Sequence, residues 1–247
     1  MKKQVYILLM TLAVGTCLHA QENPDSQPVR KNIIRYNISS AALFGFDKTF
    51  ILGYERKIKT NQSISVNFGT TALPGRGFGD SEDFEVVRDF KNNGYNFSAD
   101  YRFYLGKLNK YSAPRGVYVG PYYSLNMWRR QSEWEAKNTG DFVDTKMDVN
   151  LHMAGVQLGY QFVFYNRFTL DLVLLGPGVG FYNVKTETEG TLTEEQLEKL
   201  QKAVIDRLQQ RFPGFNLVFD GKRLDSQGTL TTNSIGFRYL IHIGVAF

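Results

Sequence analysis

The chain has 247 residues, of which 43% are hydrophobic and 14% aromatic, and it contains a single cysteine. This composition excludes a disordered chain and a disulfide-stabilised scaffold, and a mean hydropathy of −0.30 argues against a bundle of membrane-spanning helices. The formal net charge of +5 comes from 29 basic and 24 acidic residues spread along the chain. We therefore expect no nucleic-acid partner.

The first 20 residues have the order of a secretory signal peptide. A positively charged start is followed by an apolar run, and Ala20 then supplies a small residue before polar sequence. We predict cleavage after Ala20, which leaves residues 21–31 as a short periplasmic tail ahead of the folded domain. A lipoprotein signal at Cys17 is the alternative, but the threonine directly before this cysteine disfavours it.

Beyond residue 31, apolar and polar side chains alternate with the period of a β-strand. Residues 95–105 are the clearest case, and a segment of this length matches a tilted strand that crosses a bilayer. The same alternation predicts eight strands, with ten as the alternative. The predicted strands cover residues 34–42, 50–55, 64–69, 95–105, 117–127, 154–162, 168–175 and 235–247.

The apolar face of these strands carries large aromatic side chains such as Tyr101, Phe103 and Phe237, whereas the opposite face carries glycines and short polar groups. Large side chains fit poorly inside a narrow soluble barrel, so the pattern favours a barrel surrounded by lipid. Short connections alternate with mostly long ones, as in outer-membrane barrels. We expect the long connections to include residues 71–92, 129–147 and 184–232. A soluble sandwich or lipocalin-like barrel is the alternative.

The chain ends with apolar residues at every second position, which resembles the C-terminal signal that outer-membrane barrels present to the barrel-assembly machinery. The predicted signal residues are Tyr239, Ile241, Ile243, Val245 and Phe247. We therefore predict an all-β protein: a transmembrane, antiparallel, up-and-down β-barrel in the outer membrane of a Gram-negative bacterium, covering residues 32–247.

Three segments carry a resemblance to a known family. They are Arg-Gly-Val-Tyr-Val-Gly-Pro-Tyr at residues 115–122, Gly-Tyr-Gln-Phe at 159–162 and Asn-Arg-Phe-Thr-Leu-Asp at 166–171. Together they resemble a family of small Gram-negative outer-membrane β-barrel proteins without assigned function, similar in size to OmpA-like barrels. The resemblance covers about residues 32–247. It implies the fold and an outer-membrane location, and it supplies no catalytic residues.

Strand parity predicts which polar side chains point into the barrel. The charged members are Arg35, Glu55, Lys57, Asp100, Arg102, Asp171 and Arg238, and two glutamines, Gln157 and Gln161, accompany them. Four positive and three negative charges nearly balance, and a buried charge is costly unless paired. We expect an ion-paired plug without an open pore, with a proton or ion path as the alternative. Arg56 is expected to face lipid near the periplasmic end, where it can snorkel.

The last external connection contains a predicted helix. Thr-Glu-Glu-Gln at residues 193–196 resembles a capping box, and apolar residues then recur at helical spacing. They are Leu197, Leu200, Val204, Leu208 and Phe212. We expect this apolar face to pack on its own loop. A lid over the barrel mouth and a docking surface for a partner are the alternatives.

No sequence motif indicates catalysis. His152 and His242 are the two histidines after the predicted signal peptide, and neither belongs to a His-x-Ser element. HExxH, CxxC and phosphate-loop motifs are missing from the sequence, so we expect no enzyme activity, cofactor or metal. The expected role is structural or surface-interacting, with outer-membrane lipid and lipopolysaccharide as partners and a further surface partner at residues 184–232. A lipid hydrolase or acyltransferase and a narrow channel are the alternatives.

Overall fold

The computed structural model describes residues 30–73, 84–189, 195–196, 198–200, 202 and 228–247. The predicted signal peptide, most of the predicted tail and loop-helix positions 197, 204, 208 and 212 lie outside these residues. Eight strands are found in the described part. They are β1 (Asn32–Asn37), β2 (Phe50–Lys59), β3 (Gln62–Thr71), β4 (Phe84–Tyr104), β5 (Gly116–Ala136), β6 (Phe142–Phe164), β7 (Phe168–Glu189) and β8 (Thr229–Ala246).

The described strands form one closed barrel in which each strand pairs antiparallel with its sequence neighbours. The first and last strands close the ring, with a register from Ile33↔Ala246 to Asn37↔His242. The prediction of an eight-stranded up-and-down β-barrel is thus confirmed. The chain alternates polar and apolar residues with period two because the two faces of this closed sheet meet different surroundings.

The first strand is shorter than its alternation predicted, because β1 ends at Asn37 and a helix, α1 (Ile38–Phe44), follows. The Asn37 side chain caps this helix by accepting a 2.9 Å hydrogen bond from the Ser40 amide. The helix ends at Gly45, whose φ of 103° suits glycine. The Ser39 hydroxyl accepts a 3.1 Å hydrogen bond from the Ile241 amide, so α1 binds β8 where β1 no longer does.

Four strands extend far beyond the predicted bilayer-crossing segments: β4 to β7 contain 21, 21, 23 and 22 residues. The long connections predicted at 71–92, 129–147 and 184–232 are therefore too long, and they shrink to residues 72–83, 137–141 and 190–228. The extensions of β5 to β7 alternate too, but their polar residues point outward, and the search for apolar outer faces missed them. The extension of β4 is irregular, with register shifts between Val86 and Lys91.

The barrel has two distinct ends. We call one the turn end, where β2–β3, β4–β5 and β6–β7 are joined by residues 60–61, 105–115 and 165–167 and where the chain finishes. The other is the loop end, which holds α1 and the extensions of β4 to β7. The predicted asymmetry between short and long connections is present in part, because residues 137–141 at the loop end form a shorter connection than residues 105–115 at the turn end.

Candidate functional site

The lumen near the turn end contains a buried network of charges centred on Arg102 of β4. The Arg102 guanidinium lies 2.6 Å from Asp100, 3.2 Å from Glu55 and 2.9 Å from Asp171. It also donates a 2.8 Å hydrogen bond to the Gln161 amide oxygen. Its side chain is completely buried, so these partners replace the solvation that water would supply.

A second arginine, Arg35 of β1, contacts the same three carboxylates. Its guanidinium lies 3.0 Å from Asp171 and 3.5 Å from both Glu55 and Asp100. Its Nε donates a 3.1 Å hydrogen bond to the Asn67 side-chain oxygen. Because the carboxylates come from β2, β4 and β7, the network ties strands from all around the barrel to one another.

The structure brings together six of the seven charged residues that parity assigned to the lumen. The third arginine, Arg238, lies 4.0 Å from Asp100, and its guanidinium sits 4.8 Å from the centroid of the Tyr122 ring. Lys57 does not join the network: it is only partly buried, and its ammonium lies 3.4 Å from the Ser112 hydroxyl. The prediction for Lys57 was wrong because β2 reaches the barrel mouth at that position. The resulting group holds three positive and three negative side chains.

Sequence reasoning missed the hydroxyl groups that complete the network. Tyr118 donates a 2.7 Å hydrogen bond to Asp171, and its ring lies 4.4 Å from the Arg102 guanidinium. Tyr104 and Ser63 donate to one Glu55 oxygen, at 2.9 and 2.6 Å. All these side chains point inward by parity, and that signal could have identified them. The sequence analysis named only charged and amide side chains for the lumen and left these hydroxyl groups out.

Two further buried side chains lie in the lumen, His242 and Gln157. His242 is buried, and its Nδ1 lies 3.2 Å from Asp171 Oδ2. Gln157 is also fully buried, and neither of its amide atoms has a hydrogen-bond partner among the described residues. The lumen is thus filled by side chains at this level, as expected for a barrel of this size.

Towards the loop end the interior becomes mostly apolar, although Arg130, Ser132, Thr145 and Thr186 are also buried there. A single cluster of buried side chains lines it: Leu73, Phe84, Trp128, Trp134, Ala136, Val143, Met147, Val149, Tyr182, Val184, Leu200 and Leu230. Leu200 is 1% exposed and belongs to the predicted loop helix, of which residues 195–196, 198–200 and 202 are helical. At this position the helix packs with residues of the barrel wall, and the other four predicted apolar positions lie outside the described residues.

The outer surface changes in the opposite sense at the same level. On β5, the outward residues from Val117 to Met127 are mostly apolar, and those beyond are Arg129, Gln131, Glu133 and Glu135. Inward positions beyond this boundary include the buried indoles of Trp128 and Trp134. Strand β6 shows the same change along its outer face. Val156 is exposed in the turn-end half, and Lys146 points outward in the loop-end half.

Ion pairs cover the polar outer surface near the loop end. Arg129 lies 2.6 Å from Asp148, and Lys146 lies 2.6 Å from Glu189. Lys185 lies 2.6 Å from Glu187 and, by hydrogen bonding and charge, holds the pKa of that carboxyl below its usual value. Paired and solvated charges of this kind are typical of a surface in contact with water.

The predicted terminal signal residues Tyr239, Ile241, Ile243, Val245 and Phe247 all project outward and are exposed. They continue the apolar outer surface of β8 to the turn end. The structure therefore presents them as one accessible stripe.

The histidine that sequence analysis considered for catalysis lies on the outer surface. His152 Nδ1 is 2.7 Å from the Tyr123 hydroxyl, and its face is shared by Asp148 and Asn150. Within the described residues, the side chain that forms a hydrogen bond with His152 is a tyrosine and not a serine. Within the described residues there is also no group of three potential metal ligands, and no helix has the length and apolar character needed to cross a bilayer.

Comparison of the chain with protein-family models, with curated proteins and with solved structures finds no match. The class that the fold defines is the closed eight-stranded, antiparallel, up-and-down β-barrel. The geometry described above is therefore the basis for proposing a function.

Proposed function

We propose that this protein is an outer-membrane β-barrel with a closed lumen, whose role is structural or is carried out by the surface that projects from the membrane at the loop end. The observation that carries the proposal is the paired reversal of polarity. The turn-end half is mostly apolar outside and charged inside, and the loop-end half is mostly polar outside and mostly apolar inside. Each half is arranged for a different solvent.

The dimensions of the apolar outer surface agree with a bilayer. Eleven residues of β5, from Val117 to Met127, span this surface, which at about 3.3 Å per residue and a tilt of about 45° corresponds to a height of roughly 25 Å. This height matches the apolar band of outer-membrane barrels. Because strand pairing is continuous around a closed ring, the backbone polar groups are satisfied without water.

The filled lumen supports a protein without an open pore. Arg102 and Arg35 occupy the centre of the ring with three carboxylates, and Tyr118 and Tyr104 pack beside them. An eight-stranded barrel leaves space for side chains only. We therefore propose no channel activity, and the geometry around His152 does not favour a lipid-modifying enzyme.

The location follows from the same proposal. Export by the predicted signal peptide at residues 1–20 would deliver the chain to the periplasm, and the stripe from Tyr239 to Phe247 would engage the barrel-assembly machinery. The turn end would then face the periplasm, and the loop end would meet lipopolysaccharide and any partner outside the cell. The polar extensions of β4 to β7 provide the wall of that external part.

The proposal is tested by adding the same charge to the outer surface on either side of the boundary. Val66→Lys places a lysine near the middle of the apolar surface, where β3 is exposed, and Gln131→Lys is the matched control on the polar side. In lipid vesicles, we expect Val66→Lys to lower the free energy of unfolding by about 2–4 kcal/mol and Gln131→Lys to leave it nearly unchanged. Equal effects of the two lysines would overturn the proposal.

Two simpler measurements accompany this test. An unheated sample of the membrane fraction should migrate differently from a boiled one on a denaturing gel, because a closed barrel resists detergent until it is heated. In a planar bilayer the inserted protein should give no conductance steps. Recovery of the protein in the soluble periplasm would favour a soluble barrel, and regular conductance steps would favour a channel.

A further inference from the structure

The turn end of the barrel is strongly basic. Within the described residues, its side-chain carboxylates are those of Glu55, Asp100 and Asp171, which are all buried in the lumen network. Nine cationic side chains lie at this end: Arg30, Lys31, Arg56, Lys57, Lys59, Lys107, Lys110, Arg115 and Arg167. In the described part of the chain, none of the nine has a carboxylate within 4.0 Å, whereas the loop end carries several such pairs.

Four of these cations converge on one cleft, where the start of β1 meets the end of β2. The cleft has a volume of about 510 Å³, and its lining consists of Lys31, Arg56, Lys57, Ile58, Lys59 and Thr60. The Lys57 amide donates a 2.8 Å hydrogen bond to the Lys31 carbonyl oxygen, which holds the two segments together. Unpaired like charges held this close raise the local concentration of anions. We call this feature the basic cleft.

Large apolar side chains are exposed at the turn end, and one of them lies in the basic cleft. Ile58 is 49% exposed within the cleft lining, and Leu108 and Tyr165 on two other turns of this end are 73% and 82% exposed. A soluble anion would offer these side chains no apolar contact. A phospholipid offers both a phosphate for the cations and acyl chains for the apolar groups, and cations beside exposed aliphatic and aromatic residues are typical of a membrane interface.

We propose that the basic cleft binds the phosphate headgroups of anionic phospholipids in the leaflet at the turn end, an inference that rests on the proposed membrane location. Arg56 projects from the lipid-facing side of β2 and would contact a headgroup at the edge of the bilayer. Lys57 and Lys59 would bind the same phosphate from the barrel mouth. The apolar flank would anchor this end of the barrel against the acyl region.

The test compares lipid binding by the complete mature barrel in neutral detergent, measured by native mass spectrometry. The probes are phosphatidylglycerol and phosphatidylcholine with the same acyl chains. The variant Arg56→Gln/Lys57→Gln/Lys59→Gln removes three charges from the cleft. The control Lys48→Gln/Lys146→Gln/Lys185→Gln removes three exposed charges from the loop end.

We expect the unmodified barrel to prefer phosphatidylglycerol. Each basic residue close to an anionic membrane surface contributes about fivefold to affinity, so the cleft variant should bind phosphatidylglycerol on the order of 100-fold more weakly. The control variant and binding of phosphatidylcholine should change little. Equal binding by the cleft variant and the control would overturn the inference.

Competition with soluble anions distinguishes the source of the phosphate. Glycerol phosphate and acidic peptidoglycan fragments should fail to displace phosphatidylglycerol at concentrations where the lipid saturates the cleft. Displacement by either would assign the cleft to a soluble anion and overturn the lipid inference. If both triple variants still insert into vesicles and shift on heating, a negative lipid result refutes only this inference. Failure of the unmodified barrel to insert would refute the proposed function as well.

Discussion

Replacement of Arg102 by methionine removes the central cation of the lumen network while keeping an unbranched side chain. The substitution leaves three buried carboxylates with the two arginines Arg35 and Arg238, and Asp100 loses its 2.6 Å partner. Loss of one partner from a buried ion pair costs about 3–5 kcal/mol. With a urea dependence of about 2 kcal/mol per molar, we expect the unfolding midpoint to fall by about 2 M.

The assay is urea unfolding of the barrel in lipid vesicles, followed by tryptophan fluorescence and by the heat-dependent gel shift. The double variant Arg102→Met/Asp100→Asn restores charge balance, so it should lose less than the sum of the two single variants, by about 0.5–3 kcal/mol. Arg102→Lys tests geometry, because lysine keeps the charge but loses the planar guanidinium that contacts three carboxylates. Lys185→Gln, an exposed charge at the loop end, should not shift the midpoint.

The reasoning would be refuted if Arg102→Met unfolded at the same urea concentration as the unmodified protein. Strict additivity of the two single substitutions would also contradict it, because residues that share a buried ion pair should couple. A shift of similar size in Lys185→Gln would show that the assay reports overall charge and not the network.

Three further predictions concern packing. A Cβ on Gly159 would overlap the Tyr118 ring, so Gly159→Ala should lower the free energy of unfolding by about 1–3 kcal/mol. A Cβ on Gly106 would have no atom within 4 Å, so Gly106→Ala should leave the urea midpoint unchanged. Leu200→Ala should weaken the packing of the loop helix on the barrel wall and speed chymotrypsin cleavage within residues 190–228, in contrast to the exposed control Lys202→Ala. Both tryptophans of the chain are buried in the apolar interior, so brominated lipids should quench their fluorescence only weakly, and strong quenching would contradict their inward placement.

The sequence alone determined the strands and their inner and outer faces in the turn-end half. Alternation along β4, from Tyr95 to Phe103, records which residues face outward because neighbouring side chains of a strand must point to opposite sides. The same parity assigned Arg35, Asp100 and Arg238 to the lumen. These features depend only on neighbours in the chain, so a single sequence contains them.

The local pattern failed where another interaction competed with it. Residues 38–42 alternate weakly, yet Asn37 caps a helix there. In the extensions of β5 to β7 the alternation persists, but the polar residues point outward and many apolar ones inward. Polar outward residues such as Glu133 were therefore interpreted as loop. Alternation gives the two faces of a strand but does not say which solvent each face meets.

Only the tertiary structure decided which charges are partners. Arg35 and Asp171 are 136 residues apart, and they meet at 3.0 Å because the closing pair of β1 with β8 fixes the register of the ring. The exclusion of Lys57 from the network, the entry of Tyr118 and the convergence of cations on the basic cleft follow from the same registers. Parity assigns a side chain to the lumen but does not give its position along the barrel axis. That position depends on pairing between strands distant in sequence, and it decides which charges come into contact.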